Sequence, residues 1–257
     1  MKDIFVITCY QYNITKDLIN LLGRENCYLV VDKLPDEYLK FKEKYSDIII
    51  SKGRFGYYSI DEALGRIEMM SNLLKVTKGD FDWVHVISQN DLPTAGFYRR
   101  DQILEKGTEY INICEFPDGS SYMSNYFTVS PEFCYLVESK KQEIIEEIVK
   151  WIRNGTTNDL PGAPSEIIWR SIADSLDNRL NDDLRIHVYG NTSVYGIQGL
   201  SIGHYTKHNS PLTLDLTDKL EEVMKNDSWF LFARKFDYRS PAYKWAYIQA
   251  LNKYRER

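Results

Sequence analysis

The sequence predicts an α/β protein with a mostly parallel central sheet that is flanked by helices. Two observations carry this prediction. Short apolar runs rich in β-branched residues alternate along the chain with segments whose apolar residues follow helical spacing. The apolar runs are nearly continuous, which is typical of strands that are buried on both faces of a parallel sheet. Because no repeat, low-complexity tract or linker interrupts the pattern, we expect one domain over residues 1–257.

Strands and helices are predicted in alternation within residues 1–93. The predicted strands are IFVITC at 4–9, CYLVVD at 27–32, DIIIS at 47–51 and WVHVIS at 83–88. The predicted helices cover 15–22 and 60–74. In such sheets, ligands bind beyond the carboxyl ends of the strands. Asp32 and the polar turn at 88–91 both follow strand ends, so we expect this half of the chain to hold a ligand.

The second half, residues 94–239, continues the pattern with more strands and helices. The predicted strands are YINIC at 110–114, YFTVS at 126–130 and LRIHVY at 184–189, and the predicted helices cover 131–152 and 165–176. The tail at 240–257 is predicted to form a helix that carries Tyr243, Trp245, Tyr247 and several cations. We expect this helix to pack on the domain, and the alternative is a surface for peripheral membrane association or a partner.

Composition excludes several classes of protein. The net charge is -5 and no basic stretch is long enough to form a nucleic-acid footprint. The 4 cysteines are scattered without a C-x-x-C pair, as expected of reduced core thiols in a cytoplasmic protein. No stretch approaches the roughly 20 apolar residues that a membrane span needs, so we expect no transmembrane segment. The 19 tyrosines suit sugar-binding clefts, but they also suit ordinary cores.

Two carboxylate motifs could carry chemistry, and each has a structural alternative. Glu166 lies in the first turn of the predicted helix at 165–176, where it could be a general base or simply complement the helix dipole. Asp80 and Asp82 form a D-x-D pattern that is typical of metal sites in nucleotide-sugar enzymes. They precede a strand, so they should lie at the wrong end of the sheet, and we expect no metal there. The turn at 88–91 has one carboxylate, which is few for Mg²⁺ or Mn²⁺.

Two adjacent cations stand in an otherwise aromatic and apolar segment, WFLFARKFDYRS at 229–240. Burying unpaired cations is costly, so partly buried Arg234 and Lys235 would normally have an anionic partner. The structural alternative is that both side chains extend to solvent. His85 alternates within a predicted strand and is interpreted as a core histidine.

Six stretches of the chain occur in a distinctive order. They are YLVVDK (28–33), WVHVISQNDLP (83–93), INICEF (111–116), SNYFTVSPEF (124–133), APSEIIWRSI (163–172) and LFARKFD (231–237). In this order they resemble motifs of the core-2/I-branching β-1,6-N-acetylglucosaminyltransferase family, which has bacterial members and is related to peptide xylosyltransferases. The last stretch matches the family's closing motif residue for residue.

The resemblance implies a GT-A-like, Rossmann-type fold without the D-x-D metal site, and an inverting transfer that needs no cofactor. The donor would be a UDP-sugar, bound by the half at 1–93, and the acceptor a hydroxyl of a glycan, bound by the half at 94–239. Glu166 falls on the family's general base, and Lys235 on the lysine that contacts the donor diphosphate. The further donor-binding residues expected are Asp32, Asn90, Asp91, Arg234 and Lys207, and the acceptor-binding residues expected are Glu115 and Tyr189.

Departures from the family pattern fall near the expected donor pocket. Leu212 stands where members often carry an arginine, and Gln89 replaces a glycine. UDP-N-acetylglucosamine is the expected donor, while UDP-xylose, UDP-glucose and UDP-galactose stay open. The expected role is synthesis of bacterial surface polysaccharide or lipopolysaccharide by a cytoplasmic protein, and the inner face of the cell membrane is the alternative location. The alternative is a catalytically inactive protein that binds nucleotide sugars or glycans. A metal-dependent phosphotransferase would rest on Asp80 and Asp82 alone.

Overall fold

The structure, a computed structural model, describes residues 2–31, 35–52, 60–106, 108–115, 121–123, 127–153, 185–189, 218–225, 230–233 and 236–256. The strands in this part are β1 (Asp3–Cys9), β2 (Cys27–Val31), β3 (Ile49–Lys52), β4 (Trp83–Ser88), β5 (Leu92–Pro93), β6 (Thr108–Glu115), β7 (Ser121–Met123), β8 (Phe127–Val129), β9 (Arg185–Tyr189) and β10 (Phe232–Ala233). They form an 8-stranded sheet in the order β3-β2-β1-β4-β8-β6-β7, with β9 beside β6, and a 2-stranded sheet of β10 and β5.

The first four strands of the large sheet are parallel and lie in the order β3-β2-β1-β4. Every residue of β1 and β4 is buried, which explains why these runs are apolar without alternation. Strand β8 is antiparallel to both of its neighbours, β4 and β6, and β9 is parallel to β6. The prediction of a mostly parallel sheet flanked by helices is confirmed. All seven predicted strands form, and their ends differ from the predicted ones by at most two residues.

The helices of the described part are α1 (Tyr12–Leu22), α2 (Pro35–Lys44), α3 (Ile60–Thr77), α4 (Arg100–Ile103), α5 (Pro131–Ser139), α6 (Lys141–Arg153), α7 (Asp218–Lys225) and α8 (Pro241–Arg255). The single helix predicted over 131–152 is wrong in one respect, because two helices meet at Lys140. The Ser139 hydroxyl and the Lys140 N–H both donate to the Leu136 carbonyl, which closes α5 before α6 begins. The predicted tail helix is confirmed as α8, and it packs on α7, α1 and β5.

Two hydrophobic cores hold these elements together. The larger one surrounds the sheet, where Phe5, Val6 and Ile7 of β1 are at most 1% exposed. Burying an apolar side chain of this size stabilises the fold by about 1.5–3 kcal/mol. The smaller core joins α8 to α7 and to the β5–β10 pair, with Phe236, Tyr243 and other side chains buried between them. The smaller core therefore fixes the closing segment of the chain beside the turn that follows β4.

Candidate functional site

The strand order reverses between β1 and β4. From β1 the chain moves to β2 and β3 on one side, and it then crosses to β4 on the other side. The order 3-2-1-4 is that of doubly wound nucleotide-binding sheets, in which a ligand crevice opens where the order reverses, at the carboxyl ends of the strands. These ends are Cys9 of β1 and Ser88 of β4, and the residues that follow them line the candidate site.

Gln89, which follows β4, holds the loop that follows β1. Its Oε1 atom accepts hydrogen bonds from the backbone N–H groups of Tyr10 at 2.7 Å and Gln11 at 2.8 Å. In many doubly wound proteins, N–H groups between the first strand and helix bind the ligand's phosphate. Here the amide oxygen of Gln89 occupies two such donors. These two donors are therefore already engaged within the protein.

The burial of Gln89 has an energetic cost. The side chain is 1% exposed, and its Nε2 atom has no hydrogen-bond acceptor among the described residues. An unsatisfied buried donor costs about 1–3 kcal/mol, so the two accepted hydrogen bonds must outweigh this penalty. The glutamine is thus a positioning residue that sets the shape of the loop between β1 and α1.

The turn after β4 is closed by its own side chains. Both carboxylate oxygens of Asp91 accept hydrogen bonds from Ser88, Oδ2 from the backbone N–H at 2.8 Å and Oδ1 from the hydroxyl at 2.9 Å. Asp91 is fully buried, so this carboxylate shapes the turn. The amide of Asn90 donates from Nδ2 to the hydroxyl of Tyr10 at 2.7 Å, which ties the turn to the loop after β1 a second time.

The closing segment of the chain is anchored to the same turn on both sides of Arg234 and Lys235. Ahead of them, Phe232 and Ala233 pair with Pro93 and Leu92 as the β10–β5 ladder. After them, the backbone N–H of Phe236 donates to the carbonyl of Asn90 at 3.1 Å. Only two residues of the chain separate these anchors. The motif LFARKFD is therefore joined to the turn at the candidate crevice.

The opposite, amino end of the sheet is also rich in charge. Asp82 precedes β4 and accepts a hydrogen bond from the backbone N–H of Lys2 at 2.7 Å, while Asp80 is ion-paired with the side chain of Lys2. The D-x-D pattern thus lies at the end away from the crevice, as its place before the strand predicted. The described residues contain no cluster of three or more His, Cys, Asp or Glu side chains that could hold a metal ion. Metal independence stays a prediction.

A buried ion pair fixes the start of β1 at this amino end. Asp3 is paired with Arg100, and Nε2 of the fully buried His85 lies 3.9 Å from Asp3 Oδ1. Burial alone would raise the pKa of Asp3, but His85 and the Arg100 guanidinium outweigh it and hold that pKa below its usual value. Burial lowers the pKa of His85 below its usual value, against the opposing effect of Asp3. The interpretation of His85 as a core histidine is confirmed.

Glu109 of β6 has the most perturbed carboxyl group of the amino end. Burial raises its pKa to about 7, against two hydrogen bonds from Ser130 that favour the ionised form. Ser130 is the N-cap of α5 and donates to Glu109 from its backbone N–H at 2.7 Å and from its hydroxyl. A carboxyl group with a pKa near neutrality is a candidate acid or base. Glu109 is only 1% exposed, so we assign it the structural role of buttressing a helix cap.

The site residues predicted from the sequence have unequal outcomes. The structure brings Asn90 and Asp91 to the expected turn at the crevice. Glu115 ends β6 opposite Ser121, and Tyr189 ends β9 opposite Asn112. The remaining predicted residues, Glu166, Asp32, Lys207, Arg234 and Lys235, lie outside the described residues, as do Leu212 and the helix predicted at 165–176. The catalytic role of Glu166 and the donor-binding and acceptor-binding roles of the other eight stay predictions.

Sequence reasoning missed Tyr10 and Gln11 as residues of the site. Both follow the carboxyl end of β1, so the rule that selected Asp32 and the turn at 88–91 would have selected them too. The contact of Gln89 with their backbone could not be predicted, because it joins residues that are 79 and 78 positions apart. Two cysteines of strands, Cys9 and Cys27, are buried as expected and are not in a disulfide.

Comparisons with known proteins found similarity in structure but not in sequence, and the structural similarity is weak. No protein-family model matches the chain, and no curated protein matches it. The fold is similar to a mannose-1-phosphate geranyltransferase from Thermus thermophilus, with 10% identity, 74% of each chain covered and a TM-score of 0.38.

Two further similar structures have glycosyltransferase in their names. One is involved in glycosylation of the major capsid of PBCV-1, with 8% identity, 98% of this chain and 99% of that chain covered, and a TM-score of 0.42. The other is the apo form of GlyE from Streptococcus pneumoniae TIGR4, with 11% identity, 100% of this chain and 64% of that chain covered, and a TM-score of 0.46. All these scores are below 0.5, so the argument for function rests on the site and on the motifs.

Proposed function

We propose that this chain is an inverting, metal-independent glycosyltransferase that moves N-acetylglucosamine from UDP-N-acetylglucosamine to a hydroxyl of a glycan. One observation carries the proposal. The closing motif, which matches the resembled family residue for residue, is joined on both sides to the turn at the crevice where the strand order reverses. The two cations of that motif lie between the anchors in sequence, and an anionic donor at the crevice would give them a partner.

The chemistry requires one base and a stabilised leaving group. An acceptor hydroxyl attacks the anomeric carbon of the donor sugar, the bond to the diphosphate breaks, and the configuration inverts. The hydroxyl proton passes to a carboxylate, for which Glu166 is the candidate by resemblance. The leaving UDP takes the electron pair of the broken bond as negative charge. Without a metal, basic side chains must stabilise that charge, and Lys235 and Arg234 are the candidates.

The hydrogen-bonded N–H groups of the loop after β1 support the assignment of the diphosphate to basic side chains. Gln89 Oε1 already accepts from Tyr10 and Gln11, so these donors are not free for a phosphate. The cations of the closing motif would then supply most of the charge for the diphosphate. Lys207 is a further candidate, because Leu212 replaces the arginine that the resembled family often carries.

A thermal-shift titration tests the donor first. The protein is heated with UDP, UDP-N-acetylglucosamine, UDP-glucose, UDP-galactose, UDP-xylose or a GDP-sugar, each with and without EDTA. Ligand at about 100 times its dissociation constant stabilises the folded state by about 2.7 kcal/mol, which shifts the melting temperature visibly. We expect a UDP-selective shift that survives EDTA. A shift that EDTA abolishes contradicts metal independence, and no shift with any nucleotide contradicts the proposal.

Variants separate binding from catalysis. Lys235→Ala should weaken UDP binding about tenfold or more, because a charge-assisted contact to phosphate is lost. Lys106→Ala is the matched control, since its side chain is 92% exposed at the amino end of the sheet. Glu166→Gln should bind UDP normally and hydrolyse or transfer the donor sugar at least 100-fold more slowly than the unchanged protein.

The rival function is a binding protein that has lost catalysis, and Leu212 is the observation that favours it. Such a protein would show the UDP-selective shift. It would release no UDP from any nucleotide sugar, with water or with any acceptor of a glycan panel. Release of UDP by the unchanged protein, and its loss in Glu166→Gln, would show that the protein is an enzyme.

A further inference from the structure

A pocket of about 470 Å³ opens between α1 and α8, beside the candidate crevice. Asn13 of its wall is two residues after Gln11, which Gln89 binds, and Tyr238 is two residues after Phe236, which is bonded to Asn90. The pocket therefore adjoins the crevice on the side of the closing segment. Its volume lies within the range of about 300–1,000 Å³ that is usual for small-molecule sites.

Tyrosine and isoleucine side chains form most of the pocket wall, which is therefore largely apolar. Tyr243 is buried in the smaller core, so Tyr238 and Tyr247 carry most of the accessible aromatic surface. Tyr243 and Tyr247 are one turn apart on α8, and their rings stack with centroids 6.2 Å apart and planes 18° apart. Tyr238 adds a third tyrosine ring, and its hydroxyl accepts a hydrogen bond from Arg239 at 2.8 Å. Tyrosine rings offer apolar faces with hydroxyl groups at their edges, which suits a ligand that is both flat-faced and polar.

The polar groups of the wall are mixed in charge and small in number. The carboxylate of Asp17 accepts from the hydroxyl of Tyr243 at 3.3 Å and is half-buried. Burial raises the pKa of this carboxyl group above its usual value. Asn13 and Lys244 bring an amide and an ammonium group on exposed side chains. The pocket therefore presents acceptors and donors together, without a cluster of either charge.

These groups favour a neutral, polyhydroxylated ring. A pyranose has apolar C–H faces that pack on tyrosine rings, and its hydroxyl groups both donate, as to Asp17, and accept, as from Asn13 or Lys244. A phosphate or carboxylate ligand is disfavoured by the Asp17 charge, and a purely apolar ligand would leave that carboxylate without water. We infer that the pocket between α1 and α8 binds one neutral pyranose unit. Resting on the proposed function, this unit belongs to the acceptor glycan, because the pocket adjoins the donor crevice.

Saturation-transfer NMR with the full chain tests this inference. The probes are the methyl glycosides of glucose, galactose and N-acetylglucosamine, together with octyl β-glucopyranoside, which carries a pyranose and an alkyl chain in one molecule. We expect saturation of ring protons, with the strongest signals on one face of the sugar. Saturation confined to the octyl chain, or no ring signal from any probe, overturns the inference.

Matched tyrosine variants locate the binding. Tyr247→Ala should weaken the affinity for the best probe about tenfold. Tyr254→Ala should leave it unchanged, because Tyr254 lies on the same helix outside the pocket and is 45% exposed. Asp17→Asn keeps the shape of the wall and removes its charge, and it should weaken binding without a loss of fold. Equal affinity in Tyr247→Ala, Asp17→Asn and the unchanged chain overturns the inference.

The UDP titration is run on the same variants. A UDP shift without any sugar signal overturns the pocket inference and leaves the proposed function standing. The opposite result is a pyranose signal that Tyr247→Ala weakens, in a protein that shows no UDP shift. It would support the pocket as a sugar site, and it would overturn both the proposed function and the acceptor role of the pocket. The two failures are therefore distinguishable.

Discussion

The two ends of the central sheet are both polar, but they differ in the kind of groups they bury. The carboxyl end buries Ser88, Gln89, Asn90 and Asp91, and one of these four is ionisable. The amino end buries three ionisable groups, Asp3, His85 and Glu109, together with Thr108 and Ser130. By perturbed pKa alone, the amino end would be the candidate site. By topology, the candidate site is the carboxyl end.

The difference teaches that a perturbed pKa does not by itself indicate chemistry when the group has a structural partner. At the amino end each buried charge is matched to a structural partner, Asp3 to Arg100 and Glu109 to the Ser130 helix cap. At the carboxyl end the side chains are used to shape two loops around the point where the strand order reverses. If the amino end serves stability and the carboxyl end serves binding, substitutions at the two ends should have different effects.

The largest effect on stability is expected at the amino end, from Arg100→Met. The variant leaves the buried Asp3 carboxylate without its guanidinium, which should lower the free energy of unfolding by about 3–5 kcal/mol. Urea denaturation measures this loss. Asp80→Asn, which breaks an exposed ion pair at the same end, is the control and should change little. If Arg100→Met lost UDP binding but kept its stability, the division between the two ends would be wrong.

The next effect is a pH dependence from Glu109. Its pKa is about 7 in the folded state against 4.5 ordinarily, so the folded state holds its proton more tightly than the unfolded state. The stability that this group contributes is fully present below about pH 4.5 and is lost as the pH rises to about 7. The loss is on the order of 3 kcal/mol.

Glu109→Gln isolates this contribution. The amide keeps the shape and can still accept from the backbone N–H of Ser130. Urea denaturation of both proteins across the window should show their difference in stability growing with pH in favour of Glu109→Gln. A difference that stays constant with pH would show that Glu109 ionises with its ordinary pKa.

A smaller stability effect, joined to a binding effect, is expected at the carboxyl end from Gln89→Leu. The substitution leaves the N–H groups of Tyr10 and Gln11 without their acceptor, which should cost about 2 kcal/mol. It should also weaken UDP binding, because the loop after β1 borders the crevice. Gln89→Glu retains the acceptor oxygen and serves as the matched variant. Unchanged UDP affinity in Gln89→Leu would separate this loop from the donor site.

The sequence allowed the sheet to be predicted well and the site only in part. Continuous apolar runs such as those of β1 and β4 have one physical explanation, burial on both faces, so their prediction succeeded. Helix α2 was missed, although Pro35 at its first position and the spacing of Tyr38, Phe41 and Tyr45 were usable signals. Short strands such as β5 and β10 carry no periodicity. They form because Phe232 and Ala233 can pair with Pro93 and Leu92, residues far away in sequence.

The site was predictable where it depends on strand ends and unpredictable where it depends on tertiary contacts. The turn at 88–91 follows directly from the end of β4. The hydrogen bonds of Gln89 to the loop after β1, and the pocket between α1 and α8, each join residues near the start of the chain to residues far downstream. Tyr243 and Tyr247 lie in the predicted tail helix, but the hydrogen bond from Tyr243 to Asp17 depends on how α8 packs on α1.

The smallest effect on stability is expected at the N-cap of α8. It can be compared with the effect at the equivalent N-cap of α5. Ser240 and Ser130 both precede a proline, and each accepts from a backbone N–H in the first turn, that of Tyr243 at 3.1 Å and that of Phe133 at 3.3 Å. Ser240→Ala should lower the free energy of unfolding by about 1 kcal/mol. Ser130→Ala should cost roughly 2 kcal/mol, because its hydroxyl also donates to the buried Glu109.

The same pair of variants separates the functions of the two ends. Ser240→Ala loosens the first turn of α8, which holds Tyr243 in the pocket, so the affinity for a pyranose should fall while UDP binding persists. Ser130→Ala should leave both affinities unchanged, since α5 begins at the amino end of the sheet. Denaturation and the two binding measurements on each variant give this contrast. Retention of sugar binding in a measurably destabilised Ser240→Ala would show that the pocket does not depend on the α8 cap. Loss of sugar binding in Ser130→Ala would show that the amino end also supports the pocket.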